Sequence, residues 1–202
     1  MAIFMESADD ALRAAVDMQL RIAEYNDVRQ KVGRMPIRIG IGVHKGPLMM
    51  GVIGDEKRMD AGVVSDTVNT SSRMEGLTKV FQSQIVVSES LMASLSTDHS
   101  FKLRALGRVQ VKGKEEALEV FECFEAESPI SMKQKAASLD QFKKALQAYK
   151  NQDFQQASVD FEQLLTFHSD DGAVKYYLER SQHFAKTGVP LNWEAIELIR
   201  GK

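Results

Sequence analysis

The sequence predicts an α+β protein: a largely antiparallel sheet covered on one face by helices, followed by an all-helical C-terminal region. Three observations predict it. Strand-period and helix-period segments alternate through residues 1–124. Glycine turns interrupt the strand-like runs at K45-G46-P47 and K112-G113-K114. Beyond a charged, proline-containing stretch at 125–136, apolar residues recur only at helical spacing.

Each element follows from its own residues. MAIFM (1–5) reads as a strand. Ser7 caps the next helix, with Asp10 at the capping-box position. Leu12, Ala15, Met18, Ile22, Tyr25 and Val28 then give that helix one core-facing side. After Pro36, the run IRIGIGVH (37–44) alternates with period two, and LMMGVIG (48–54) reads as its hairpin partner. GDEKRMD (54–60) reads as a polar loop, and Asp66 as the cap of the helix that follows. QIVVS (84–88) predicts a strand and SESLMASL (88–95) a short helix. FKLRALGRVQV (101–111) and LEVFECF (118–124) predict two further strands.

EAESPISMKQKA (125–136) reads as a linker, and 137–202 as helices. Phe142, Ala145, Leu146, Tyr149, Phe154, Ala157, Phe161 and Leu164 form a helix–turn–helix pattern. A further helix covers about Ala173 to Phe184, and a last short one holds Trp193, Ile196 and Leu198. The order Y-x4-F-x2-A-x3-F resembles a tetratricopeptide repeat. One such unit cannot bury its own apolar face, so it must dock on the first region or on a second chain.

Composition narrows the function classes. With 44% hydrophobic residues in 202, the chain has material for a sizeable core. A net charge of −2 gives no electrostatic footprint for nucleic acid or an anionic membrane surface. A single cysteine, Cys123, lies in an apolar strand-like run, so it reads as a buried thiol in a reducing compartment, which fits a cytoplasmic location. There is no apolar run long enough to span a bilayer and no signal peptide.

Few residues offer chemistry. The four histidines and one cysteine show no zinc spacing, and there is no nucleophile elbow or Walker sequence. What remains is polar and basic. Asn69 and Arg73 lie four apart on one helix face, separated by the small Thr70, Ser71 and Ser72. Lys112 and Lys114 flank a glycine turn. Aimed into one cleft, these groups would suit a polyphosphate. On spacing alone, a surface arginine and a solvated turn are the favoured reading. Gly40 and Gly42 either permit close backbone packing or help to shape a cleft.

The stretch IRIGIGVHKGPLMMGVIGDEKRMDAGVVSDTVNTSSRME resembles the catalytic core of class III nucleotidyl cyclases, in which a GIH-x-G hairpin precedes a V-N-x-A-S-R-M motif. VQVKGKEEALEVFE resembles the closing strand pair of that family, and MAIFMESADDALRAAVDMQ its third strand and following helix. The resemblance covers residues 1–124 and implies a ferredoxin-like fold entered partway. It implies conversion of ATP to cyclic AMP and pyrophosphate, with a guanylate cyclase or a non-catalytic dimerisation module as alternatives. By matching positions, Asn69 and Arg73 would steady the transition state at the α-phosphate. Lys112, with Lys114 in reserve, would hold the terminal phosphates. Gly62, Val63 and Val68 would contact the purine.

The same resemblance implies two aspartates that bind Mg²⁺ or Mn²⁺ in the complete enzyme and places them upstream of Met1. This segment is therefore expected to bind no metal and to be inactive alone. It further implies head-to-tail pairing, so the expected partners are a nucleoside triphosphate and a second copy, as a homodimer or a strand-exchanged oligomer. Membrane contact, if any, would come from segments upstream.

Overall fold

The computed structural model describes residues 1–55, 58–111 and 117–199. Its elements, in chain order, are α1 (Ala8–Lys31), β1 (Ile41–Val43), β2 (Met49–Asp55), β3 (Arg58–Val64), α2 (Asp66–Val80), β4 (Ile85–Ser88), α3 (Glu89–Met92), β5 (Leu103–Val111), β6 (Leu118–Cys123), α4 (Pro129–Ala137), α5 (Leu139–Lys150), α6 (Phe154–Phe167), α7 (Gly172–Thr187) and β7 (Ile196–Ile199). Five strands form the main sheet in the order β1-β4-β6-β5-β7, while β2 and β3 make a separate antiparallel ribbon.

The sheet is mixed rather than largely antiparallel. β4–β6 and β5–β6 pair antiparallel, whereas β1–β4 and β5–β7 pair parallel. Helices cover both faces, not one. α1 sets Leu12, Ala15 and Val16 on one face, against Ile85, Val87 and Cys123. α2 and the C-terminal helices cover the other, where Met74, Leu77 and Phe81 join Val86, Val120, Phe142, Tyr149 and Tyr177 in a single cluster. β4 is buried on both sides, which explains its unbroken apolar sequence. Cys123 is buried as expected, and burial pushes its thiol up to about 12.

Several sequence expectations change on contact with the fold. Residues 1–5 form no strand; no described strand lies alongside to pair with them. In the 37–44 run only Ile41–Val43 is strand, and β1 pairs with β4 rather than with 48–54. β2 instead pairs with β3, from Met49↔Val64 to Asp55↔Arg58, so most of the expected 54–60 loop is ladder. Closing that short connection costs less chain entropy than the longer return to β1. Of the apolar positions on α1, Leu12 and Ala15 are buried, but Met18, Tyr25 and Val28 are exposed.

The C-terminal region departs further. Most of the 125–136 stretch read as linker is helix: α4 spans Pro129–Ala137, Ser128 caps it through the Ser131 amide (3.2 Å) and Pro129 occupies its first turn. The last segment is not a helix. Ile196–Ile199 forms β7, parallel to β5, so the extension is not all-α. The edge of β5 offers free ladder groups, and the apolar Ile196, Leu198 and Ile199 suit a strand better than a four-residue helix.

Buried charge ties this region to the sheet. Arg104 on β5 makes a bidentate pair with Asp171 (2.7 and 2.9 Å) and meets Glu122 on β6 at 2.6 Å. Lys135 on α4 reaches Glu122 (3.1 Å) and Glu127 (2.6 Å), and the Arg104 guanidinium stacks 4.1 Å from the Phe142 ring centre. A second knot surrounds Glu197 on β7, which accepts the hydroxyls of Tyr149 and Tyr176 (2.7 Å for the latter) and pairs with Arg180 at 3.0 Å. Phe142, Tyr149, Phe154 and Phe161 are buried as the sequence predicts, and Trp193 is partly covered against Tyr149, Phe154 and Phe184.

Candidate active site

The site centres on the first turns of α2. The helix starts at Ser65, not Asp66: Ser65 is extended (φ −164°) and its Oγ accepts the Thr67 amide at 3.0 Å. Asp66 falls in the first turn, where its charge complements the helix dipole. Ser65 Oγ and Thr67 Oγ1 also donate to the Pro47 carbonyl, at 2.7 and 2.5 Å. The 44–47 turn is itself fixed from the far side. His44 Nδ1 lies 2.9 Å from Ser88 Oγ, and Ser90 Oγ donates to the Lys45 carbonyl at 2.7 Å. Sequence reading missed this brace because its three segments meet only in the fold.

α2 rests on the segment that carries β1. A Cβ on Gly42 would lie 2.3 Å from both the Ser71 carbonyl oxygen and the Glu75 amide nitrogen, and one on Gly40 would strike the Thr78 hydroxyl. Close packing is therefore what these two glycines allow. The same contact explains much of the small-residue run. Thr70 is buried with its hydroxyl bonded to the Asp66 carbonyl at 2.9 Å, and Ser71 faces Gly42; Ser72 alone of the three is exposed.

This packing orients the opposite side of α2 outward. Asn69 is exposed and Arg73, one turn on, is partly buried. The Nη1 atom of Arg73 is shielded from solvent and, among the described residues, has no hydrogen-bond partner. A shielded guanidinium nitrogen without an acceptor is costly unless an anion reaches it. Val68 is partly buried beside Asn69. Gly62 and Val63 lie on β3, opposite Gly51 and Met50, and β3 leads directly into Ser65 and α2. Lys112 and Lys114 lie outside the described residues.

Among the described residues no group of three or more His, Cys, Asp or Glu side chains converges on a site that could hold a metal ion. Asp9 accepts the amide (3.0 Å) and hydroxyl (2.6 Å) of Ser96, whose hydrogen bonds hold its carboxyl below the usual range. Asp55 and Asp60 stand in the β2–β3 ladder, opposite Arg58 and Ile53.

The family profile described as the Adenylate and Guanylate cyclase catalytic domain matches residues 1–123. An adenylate cyclase of Anabaena cylindrica is 42% identical over 128 residues, covering 60% of this chain and 26% of that protein. The terminal-differentiation-specific adenylate cyclase of Dictyostelium discoideum is 28% identical over 193 residues, 93% of this chain and 9% of that protein, so its likeness extends through the C-terminal helices. The crystal structure of the adenylyl cyclase CyaB from P. aeruginosa shares the fold, with a TM-score of 0.50 over 57% of this chain and 58% of that one, at 21% identity. The chain thus spans about a quarter or less of the two curated relatives. The match over residues 1–123 establishes that this chain belongs to the adenylate and guanylate cyclase catalytic domain family.

Proposed function

We propose that this chain is the Asn/Arg half of an adenylate cyclase site, acting on ATP to give cyclic AMP and pyrophosphate. The observation that carries the reading is Arg73: a cation with one shielded nitrogen that has no hydrogen-bond partner among the described residues, one turn from an exposed amide on the same helix face. In the reaction the ribose 3′-oxygen bonds to the α-phosphorus, the bond from that phosphorus to the pyrophosphate oxygen breaks, and the 3′-proton leaves to solvent or a base. Charge on the α-phosphoryl oxygens shifts as this happens. Arg73 meets that charge with a planar fork, and Asn69 orients the ribose. Because α2 is held at its start by Ser65 and Thr67 and along its underside by Gly42, neither group must reorganise during the step.

Lys112 and Lys114 are assigned to the terminal phosphates and Gly62, Val63 and Val68 to the purine, on the family resemblance. Mg²⁺ or Mn²⁺ is assigned to ligands outside these residues. Gly62 presents no side chain to the purine edge, so ATP is favoured by the adenylate cyclase relatives and GTP is the alternative substrate. The C-terminal helices keep the tetratricopeptide-like reading as a docking module. The second partner is another copy of a cyclase domain. Exposed Met18, Tyr25, Val28, Met49 and Met50 support association, and strand exchange is one form it could take.

The test uses this chain mixed with a cyclase subunit whose own asparagine and arginine have been replaced. Arg73→Ala and Asn69→Ala should each lower kcat by about 10²–10³, or ~3–4 kcal/mol, with little change in KM. Arg73→Lys should recover little, since an ammonium lacks the fork. Normal kcat with weakened ATP binding would reduce both residues to nucleotide contacts. No cyclic nucleotide from the wild-type mixture would remove the catalytic reading and favour the dimerisation module.

A further inference from the structure

We propose that the C-terminal helical region is the buttress that sets the position of α2, and that Gly172 and Tyr176 are positioning residues for Asn69 and Arg73. The catalytic consequence rests on the function proposed above; the mechanical coupling does not.

α2 has two halves with different supports. Its first turns hang from the Pro47 carbonyl and display Asn69 and Arg73. Its second half, through Met74, Leu77 and the cap residue Phe81, enters the cluster built from α5, α6 and α7. Phe81 meets the Tyr176 ring edge-on at 5.0 Å and stacks with Tyr177 at 6.2 Å. The contact is tightest at the start of α7. A Cβ on Gly172 would lie 2.5 Å from the Phe81 carbonyl oxygen and 2.3 Å from Gln82 Cβ, so the backbones of the two helix ends are in direct register.

This junction is held by its own cap and by β5. Asp171 caps α7 through the Val174 amide (3.2 Å) and binds Arg104 of β5 bidentately. Tyr177 donates its hydroxyl to the Leu106 carbonyl. The sheet therefore fixes α7, and α7 fixes the end of α2. A helix is stiff along its axis, so a shift at Phe81 moves Arg73, two turns earlier, by a comparable distance. Misplacement of a catalytic group by about 1 Å can cost a rate factor near 10². The likeness to the Dictyostelium cyclase, which runs through these helices, supports the tail as part of the same working unit.

Gly172→Ala is the direct test, since one methyl group must push α7 away from a backbone oxygen. Phe154→Leu is the control: Phe154 packs on Tyr149, Phe184 and Trp193 inside the tail. Both chains are mixed with the complementing subunit and assayed below their melting temperatures, and amide hydrogen exchange over residues 66–80 is measured on each chain alone. Gly172→Ala should lower kcat by about ten- to a hundredfold with KM unchanged, and should speed exchange in α2. Phe154→Leu should do neither. Unchanged kcat and exchange in Gly172→Ala, or equal losses in both variants, would overturn the proposal. If Gly172→Ala does not fold, Tyr176→Leu, which removes the ring against Phe81, takes its place with the same expectation. If the wild-type mixture makes no cyclic nucleotide, the catalytic reading fails and the exchange data alone decide the coupling.

Discussion

α1 and α7 are both long amphipathic helices, yet one is half packed and the other packed throughout. α1 buries Ala11, Leu12, Ala15, Val16 and Gln19 in its first half and leaves Val28 56% exposed in its second. Val32 and Met35, just beyond, are 65% and 83% exposed. α7 buries residues from Gly172 to Phe184 along its whole length. The difference lies in what is beneath them. α7 sits against α5, α6, α2 and the middle of the sheet. The outer half of α1 runs past β1, the edge strand, where no further described strand supports it. Amphipathic spacing states which face can be buried; only a neighbour decides whether it is.

The largest effect is expected from Arg104→Ala. It leaves Asp171 and Glu122 as buried carboxylates without their main cation, and should cost about 3–5 kcal/mol in urea unfolding. A loss below about 1 kcal/mol would show that the C-terminal region is not tied to the sheet by this network.

A second test uses pH. Burial alone would raise the Asp171 carboxyl, but the hydrogen bonds and charge of Arg104 outweigh it and hold the group below the usual carboxylate range. A lowered folded pKa adds stability that is complete above the unfolded value, near 4, and is lost as pH falls below it toward the folded value. The melting temperature should therefore lose this contribution only below about pH 4. Asp171→Asn, which keeps the helix cap, should remove that part of the acid loss; an unchanged acid limb would contradict the assignment.

Smaller effects sharpen the contrast. Tyr149→Phe deletes one donor to Glu197 while Tyr176 and Arg180 remain, so about 1 kcal/mol should be lost. Val28→Gln on α1 should change stability by no more than ~0.5 kcal/mol. The same variant should weaken self-association in light scattering if the exposed face meets a second copy. A stability loss like that of a core substitution would mean that the outer half of α1 is packed after all.

The elements that were legible in the sequence are those whose signal is local. Ser7 and its helix, the apolar QIVVS strand, the β5 and β6 runs and the aromatic spacing of α5 and α6 all carry their pattern within a dozen residues. Asn69 and Arg73 share a face for the same reason, as a helix repeat fixes it. The misread elements depend on pairing. GDEKRMD has loop composition, but a ladder partner at β2 makes it strand. IELI has too few residues to show a period, and the free edge of β5 recruits it. EAESPISMKQKA looks solvated until Lys135 finds Glu122 and Glu127.

Residue order alone carries the α+β class, the family likeness over the first 124 residues and the candidate pair on α2. Each needs only residue order: periodicity for the helices, spacing for the shared face, and a motif for the likeness. Tertiary structure alone decided that Gly40 and Gly42 seat α2, that a shielded Arg73 nitrogen has no partner among the described residues, and that α7 abuts Phe81. Those facts are distances between segments up to a hundred residues apart, and no local rule of sequence encodes which backbone will lie against which.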